Sequence, residues 1–376
     1  MVAGEEAGAS VRPALTGEQT RRWETMLSTL VGLLPAGGVG VLVDGVEDGG
    51  LTGAVADGLA EGLRQAGRDS HRLAGDERAC AGPAALIVDP AASAADPAAS
   101  AADPAVSAAD PAMSAVGSAV SAEDPAAGWD VVIRLRSRYS RRAHDGRAAD
   151  IVIDVDDPDW PVIRRVAAGL GGDGRWHVRE SQAFFGIRAA GWDTKFGDDL
   201  PAYAAAVREL GVRPGAAVLD AGCGTGRALP ALREAVGPAG RVLALDVTPE
   251  MLAATRQAGR GDAASLVLAD ARRLPLADQS LDAVFAAGLV HHLPDMAAGV
   301  AELARVSRPG ARLAIFHPSG RAALAARHGR TLRPDEPLSA ARLGPLLAAA
   351  GWRLDGYDDP PHRFLAVATR DGQPAA

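Results

Sequence analysis

The sequence predicts an α/β protein built from two doubly wound domains. Two observations carry that expectation. Short apolar runs alternate with amphipathic helical patterns along most of the 376 residues, the order expected of βαβ units on a parallel sheet. A glycine-rich stretch, Gly169 to Gly174, then divides the pattern into two series, so that residues 1–172 and 175–376 form separate domains.

In the first series, Thr16 caps a helix over residues 15–35, with Trp23, Met26, Leu27, Leu30 and Leu34 at helical spacing. Val39 to Val43 reads as a strand, followed by a glycine-rich loop and a helix from about Ala54 to Ala66. Residues 89–127 are a low-complexity insertion in which Asp-Pro recurs with a period of seven at 89, 96, 103 and 110. Each Asp-Pro step disfavours helix and the apolar positions are mostly alanine, so this is no coiled coil and buries too little surface to offset its ordering entropy. Val131 to Leu135 and Ile151 to Val155 read as strands of the same domain. The acidic run Asp154, Asp156, Asp157 and Asp159 suggests either a metal or a solvated loop; the loop is favoured, because no second cluster of ligands accompanies it.

Composition excludes several classes. The chain is 48% hydrophobic but only 4% aromatic, and its net charge of −8 argues against a strongly nucleic-acid-binding protein. Two cysteines, Cys80 and Cys223, support neither a disulfide framework nor a thiolate metal site. Met1 to Ser10 lacks an apolar signal core and no run of about 18 apolar residues exists, which points to a cytoplasmic protein without a membrane span.

In the second series the apolar strand Ala216 to Leu219 runs into Asp220-Ala221-Gly222-Cys223-Gly224-Thr225-Gly226, and Arg227 to Val236 reads as the helix that follows. Glycines let backbone approach a ligand closely, and a helix start offers unpaired N–H groups. The next strand, Arg241 to Leu245, ends in Asp246, 20 residues after Gly226, where a carboxylate reaches ribose hydroxyls in a βαβ nucleotide site. A third acid, Asp270, closes the strand Ser265 to Ala269. Leu281 to Ala286, Arg312 to His317 and a terminal antiparallel pair, Trp352 to Tyr357 and Arg363 to Thr369, complete the strands. Helices are expected at Pro249 to Arg256, Asp295 to Val306 (ended by Pro309-Gly310) and Leu338 to Ala350.

The glycines alternate rather than following G-x-G-x-x-G, and the three-acid series resembles class I S-adenosylmethionine (SAM)-dependent methyltransferases, particularly the type 11-like small-molecule group. The resemblance covers about Glu180 to Arg370 and implies a seven-stranded, mostly parallel Rossmann-like sheet with a terminal hairpin. It implies SAM as cofactor, its methionine part cradled by Gly222, Cys223, Gly224 and Gly226 with Asp220 near the amino group. It places Asp246 on the ribose hydroxyls, Val247 and Met251 beside the adenine, and Asp270 and the Ala271 N–H on the adenine edge, with Gly288 at the same sheet edge. Phe184, Phe185, Trp192, Phe196 and Tyr203 lie in a segment that would cover the cofactor; Trp192 and Phe196 either face the sulfonium or simply pack a lid. A base is needed only for a hydroxyl or protonated amine acceptor; His291 and His317 are the candidates, with His292 packing beneath the site and a structural role open for each. Arg321, His328 and Arg330, in a basic loop, either meet an anionic acceptor or are solvated.

In the first domain, Asp44-Gly45-Val46-Glu47-Asp48-Gly49-Gly50-Leu51-Thr52, with Gly67 to Arg72, Trp129-Asp130 and Ala149 to Asp154, resembles a uridine-kinase-like P-loop protein. Leu51 stands where the phosphate-binding lysine is needed, and Glu47 and Asp48 place negative charge beside it. The expectation is a degenerate kinase fold kept for scaffolding or contact with a protein partner. The acceptor of the second domain is expected to be a small molecule; the alternatives are a SAM-sensing module without turnover and a kinase, which Leu51 disfavours.

Overall fold

The computed structural model describes residues 14–45, 50–73, 84–88, 129–137, 149–172, 174–327, 331, 332, 334 and 336–372. The insertion 89–127, Glu47, Asp48, Cys80, His328 and Arg330 lie outside the described residues. The chain divides into two compact units, Met1–Leu170 and Gly171–Ala376.

The first unit comprises α1 (Gly17–Leu33), β1 (Val39–Asp44), α2 (Leu51–Gln65), β2 (Ser70–Leu73), β3 (Ala84–Val88), β4 (Val131–Arg136), β5 (Ile151–Asp154) and β6 (Val162–Val166). Thr16 caps α1 in a capping box: its hydroxyl accepts from the Gln19 N–H at 3.3 Å, and the Gln19 side chain accepts from the Thr16 N–H at 2.8 Å. The strand order is β2-β3-β1-β4-β5-β6. β1, β4 and β5 are parallel, whereas β3 and β6 run antiparallel to their neighbours. β3 and β6 are additions to the strands expected from sequence, and they make this sheet mixed. Their direction follows from chain length: ten residues separate Leu73 from Ala84 and seven separate Asp154 from Val162, too few for a crossover helix. α2 starts at Leu51, three residues earlier than expected, because Gly50 turns the chain at φ +118°. Leu51 is 2% exposed, so the position that would carry a phosphate-binding lysine is a core position. Arg22 is buried on α1, where its Nε donates to the Pro161 carbonyl at 2.7 Å and ties the helix to the β5–β6 connection.

The second unit contains α3 (Arg175–Ala189), α4 (Trp192–Phe196), α5 (Leu200–Leu210), β7 (Ala217–Ala221), α6 (Leu229–Val236), β8 (Arg241–Asp246), α7 (Pro249–Gln257), β9 (Ser265–Leu268), β10 (Leu281–Ala287), α8 (Met296–Val306), β11 (Ser307–His317), α9 (Arg321–Arg327), α10 (Ala340–Ala349), β12 (Trp352–Asp358) and β13 (Phe364–Arg370). The sheet has seven strands in the order β12-β13-β11-β10-β7-β8-β9, in which β13 alone runs antiparallel to its neighbours. Side-chain alternation buries both faces. Leu219, Val284 and Leu313 join Leu303 of α8 and Leu343 of α10 on one face. Val218, Phe285 and Ala314 join Val207 of α5 and Leu229 and Leu232 of α6 on the other.

Four local expectations are corrected. α8 stops at Val306, and Pro309-Gly310 sits within β11, at an irregular register where Leu281 pairs with Ser307 but Ala283 with Arg312. β9 ends at Leu268, so Asp270 lies in the loop beyond the strand. Arg321–Arg327, expected as loop, is a short helix. The helix after the glycine turn begins at Leu229, which leaves Arg227 in the turn itself.

Candidate functional site: the glycine loop and its lid

The chain runs from β7 outward through β8 to β9 and then returns to β10 on the other side of β7. Ligands bind such sheets beyond the carboxyl ends of the strands where the order reverses. Asp220 and the glycine loop lie at that point on β7, and Gly288 and Leu289 on the chain leaving β10. The two sides touch: a Cβ on Gly222 would stand 3.0 Å from Leu289 Cδ1.

The loop is held by bonds from its surroundings. The Cys223 N–H donates to the Leu245 carbonyl at 2.9 Å, and the Gly224 N–H to Asp246 Oδ2 at 2.9 Å. Thr255 Oγ1 donates to the Gly224 carbonyl at 2.9 Å. Gly226 has φ +77°, and a Cβ there would lie 2.7 Å from Thr255 Cγ2 and 2.9 Å from Leu229 Cδ1. Both the backbone conformation and the space require glycine. Gly226→Ala is therefore expected to displace α7 from the loop, lowering the unfolding midpoint and the affinity for S-adenosylhomocysteine together; unchanged values of both by denaturation and calorimetry would refute this.

Asp220 is 1% exposed, and neither carboxylate oxygen has a hydrogen-bond partner among the described residues. Burial, with the Asp246 charge nearby, pushes its pKa up to about 8. An ion in that position calls for a cation. Asp246 is also buried. Its Oδ1 accepts from the Thr248 N–H at 2.8 Å and its Oδ2 from Gly224. Burial raises its pKa, and these backbone donors oppose the rise. Each carboxylate oxygen has a second acceptor lobe, so both remain able to take a sugar hydroxyl.

Other expected residues fall around this centre. Val247 presents its carbonyl to Gln182 Nε2 of α3 at 2.8 Å. Met251 is 2% exposed and packs within the protein. Burial drives the Cys223 thiol well above its ordinary pKa, which leaves it an inert wall. Asp270 turns to its neighbour Arg272, whose Nη2 lies 2.7 Å from Oδ2 and whose N–H donates to Oδ1 at 2.9 Å. Burial raises the Asp270 pKa, but the Arg272 bonds outweigh it and hold the carboxyl below its usual range. Ala271 is buried, and Gly288 (φ +64°) donates to the Phe316 carbonyl at 2.8 Å. His317 Nδ1 lies 3.0 Å from the Ser319 carbonyl and 3.1 Å from its N–H, contacts that fix the ring. His291 is exposed, its ring centroid 6.4 Å from that of His317. Arg321 is paired with Asp359 through Nε at 3.0 Å and its N–H at 2.8 Å, which explains its place in the fold without an acceptor. Tyr203 leaves the lid and joins the core rings, 5.0 Å from Phe316.

The structure adds residues that sequence reading did not single out. Arg227 is 5% exposed and grips the α4 segment. Its Nε donates to Asp193 Oδ1 at 3.1 Å, Nη1 to Asp199, and Nη2 to the carbonyls of Asp193 and Gly197 at 3.2 and 3.1 Å. Asp193 also accepts from Thr225 Oγ1 at 2.6 Å and Arg260 Nη1 at 2.7 Å. Burial raises the Asp193 pKa, yet Thr225, Arg260 and Arg227 together bring it below the usual value. Asp199 is raised, because burial and the Asp193 charge outweigh its bond to Arg227. A placement directly after the last glycine is the only sequence signal Arg227 carries; its partners lie 28 to 34 residues away.

Residues 219–315 match a family model described as a methyltransferase domain. Over 110 residues the chain is 41% identical to an uncharacterized 37.1 kDa protein in a transposon of Streptomyces fradiae, covering 29% of this chain and 32% of that protein. It is 38% identical over 114 residues to the ubiquinone/menaquinone biosynthesis C-methyltransferase UbiE of Hahella chejuensis (29% and 46% covered). It is also 38% identical over 148 residues to the malonyl-[acyl-carrier protein] O-methyltransferase of Methylococcus capsulatus (38% and 52% covered). The chain thus spans about a third to a half of the length of these relatives. A solved SAM-dependent methyltransferase from Aquifex aeolicus aligns at 26% identity and a TM-score of 0.40, covering 50% of this chain and 97% of that one. No helix among the described residues is long and apolar enough to cross a membrane. On the family match, residues 219–315 of the C-terminal unit carry a methyltransferase domain.

Proposed function

We propose that this chain transfers a methyl group from SAM to a small-molecule acceptor in the second unit. The observation that carries the reading is Asp220: a buried carboxylate without a partner among the described residues, beside a glycine loop at the sheet's switch point. Such a site fits a ligand that brings positive charge and an extended polar tail. When bound, SAM supplies a methyl group already made electrophilic by its sulfonium.

The protein's own residues then have three tasks. Asp220 and the loop 222–226 hold the donor's charged end, and Asp246 its sugar. Val247, Met251, Asp270 and Ala271 form the adenine side, and Gly288 keeps the β10 edge open. Trp192, seated on α4, covers the site and excludes water. These acids bind rather than catalyse, because positive charge falls as the methyl leaves. Holding the acceptor in line is the main catalytic contribution, worth roughly 7–11 kcal/mol. His317 and His291 stand at the acceptor edge and take the proton where the acceptor is a hydroxyl. Similarity to relatives named for C- and for O-methylation supports a common donor chemistry, with the atom methylated set by the acceptor pocket.

For the first unit we propose a degenerate P-loop-kinase-like scaffold available to a protein partner. Leu51, in the core at the lysine position, supports that reading over a kinase. A cytoplasmic location accords with both units.

Asp246→Ala tests the donor site. Loss of at least one charged hydrogen bond, roughly 1.5–3 kcal/mol, predicts a 10- to 100-fold weaker calorimetric affinity for SAM. Wild-type protein supplied with radiolabelled SAM and a metabolite extract is expected to give a labelled product. Tight binding with no product would establish a SAM sensor instead, and unaltered affinity in the variant would remove Asp246 from the site.

A further inference from the structure

The two sheets end in four outer strands, and three of them carry charge. β2 has Arg72, β6 has Arg164 and Arg165, and β12 has Arg353 and Asp355 together with a register shift between Leu354 and Gly356. Charge and irregularity on an edge discourage pairing with another chain. β9, Ser265–Leu268, carries neither. Its Leu268 is 57% exposed, more than any other large apolar side chain among the described residues. The outer edge of β9 also offers hydrogen bonds. In a parallel ladder alternate residues turn their backbone groups to the neighbouring strand. The Ala269 N–H donates to the Asp246 carbonyl at 3.1 Å, so Ser265, Val267 and Ala269 serve β8. Leu266 and Leu268 therefore turn their N–H and C=O groups outward. Beside the strand lies a cleft of about 410 Å³ whose lining includes Leu266, Ala264 and Asp262. Asp262 and Arg273, on either side of the strand in sequence, are exposed and make no ion pair among the described residues.

We propose that β9 is the contact through which two copies of this chain associate, the two strands pairing antiparallel about a twofold axis at Val267. A twofold contact uses the same patch on both copies, so the patch must complement itself. With the axis at Val267, Leu266 of one copy faces Leu268 of the other. Both have outward backbone groups, and such a pair exchanges both of its hydrogen bonds. Leu266 and Leu268 share one face of the strand, so the exposed Leu268 comes to rest on the second copy's Leu266, at the cleft. Val267 meets its own equivalent on the other face. Beyond the strand, Asp262 comes opposite the Arg272–Arg273 turn of the second copy. Arg272 is already held by Asp270 at 2.7 Å, which leaves Arg273 as the cation to meet Asp262. Other registers fail. An axis at Leu266 sets Asp262 against Asp270, an axis at Leu268 sets Leu266 against Asp270, and an axis between residues sets outward groups against inward ones. An extended segment of another protein would also find the apolar edge, but the match of Asp262 to Arg273 is a match of this surface to itself. The proposal does not depend on the methyltransferase reading.

Sedimentation velocity on the full-length protein, loaded from about 1 to about 100 μM, is expected to show monomer passing to dimer, as suits a contact smaller than a standard interface. Leu268→Lys adds a charge at an exposed position. It is expected to raise the dimer dissociation constant roughly 30-fold or more, with the denaturation midpoint of the dilute protein unchanged. Asp262→Lys sets like charges against each other and is expected to raise that constant about tenfold. Val267→Cys is expected to form a disulfide between copies under mild oxidation, because equivalents on the axis lie about 4.5 Å apart at Cα. Ser265→Cys, which carries the same native cysteines, is expected not to, since its equivalents are offset by four residues, on the order of 13 Å. The cysteine pair decides the matter should Leu268→Lys fail to fold. A protein that stays monomeric throughout the range, or a dimer that Leu268→Lys leaves intact, overturns the proposal. Absence of the Val267→Cys cross-link, or equal cross-linking through Ser265→Cys, overturns the pairing about Val267.

Discussion

Asp220→Asn is expected to weaken SAM binding by roughly 100-fold or more, because it removes the anionic half of a buried charge pair, a loss of ~3 kcal/mol or above. The same change is expected to stabilise the cofactor-free protein above neutral pH. The Asp220 pKa is pushed to about 8 by burial and by Asp246, against an ordinary value of 3.8. Between those values the folded state holds a proton that the unfolded chain has lost. The group's contribution to stability is thus fully present below the unfolded value and disappears as pH rises through the folded one. Donor binding reverses the balance, since a cation favours the ionised carboxylate. Titrations in buffers of different ionisation enthalpy are expected to show release of about one proton per SAM near pH 6.5, vanishing well above pH 8. Asp220→Asn is expected to abolish that release. A proton count of zero in the wild type near pH 6.5 would show that Asp220 does not meet the cofactor's charge.

Arg227→Met is expected to give the largest loss of stability among substitutions near the site. It retains the apolar stem but removes the donors that hold Asp193, Gly197 and Asp199, and it leaves Asp199 half-sheltered without its cation. The cost is ~3 kcal/mol, the low end for breaking a buried pair, because Asp193 keeps Arg260 and Thr225. Chemical denaturation measures this directly. Limited proteolysis is expected to cut the 192–199 segment faster, and S-adenosylhomocysteine is expected to dissociate faster as Trp192 loses its mount. Arg227→Lys restores little, since an ammonium cannot span both aspartates and two carbonyls. Wild-type denaturation midpoint and off-rate in Arg227→Met would mean that the contacts contribute nothing to closure.

What was legible in the sequence is what depends on neighbours along the chain. Except for β11, which starts at Ser307 rather than Arg312, the apolar runs of the second unit predict strands within a residue or two of those found, Arg241–Asp246 among them, because a strand buried on both faces must be continuously apolar. The position of the glycine loop between strand and helix follows from the same local signals. Edges and partnerships are less legible. β9 has only one neighbour, so its end at Leu268 is not marked by the apolar pattern, which continues to Ala269. β3 reverses direction because of the length of the preceding connection, a constraint that periodicity does not express. At the site, Asp220 and Asp246 are visible as acids at strand ends, but the Arg227–Asp193–Arg260 cluster joins positions 34 and 67 residues apart and leaves no periodic trace.

The glycine loop takes its shape from Leu245, Asp246 and Thr255, on or next to β8 and α7, and its Thr225 is tied to Asp193 of α4. The floor of the cradle is therefore set by β8 and α7, and its rim by α4. The cradle is assembled before any ligand arrives, so its occupation carries no entropic penalty for ordering the loop. A change on α4 is thus expected to alter how quickly the nucleoside leaves without reshaping the surface it rests on.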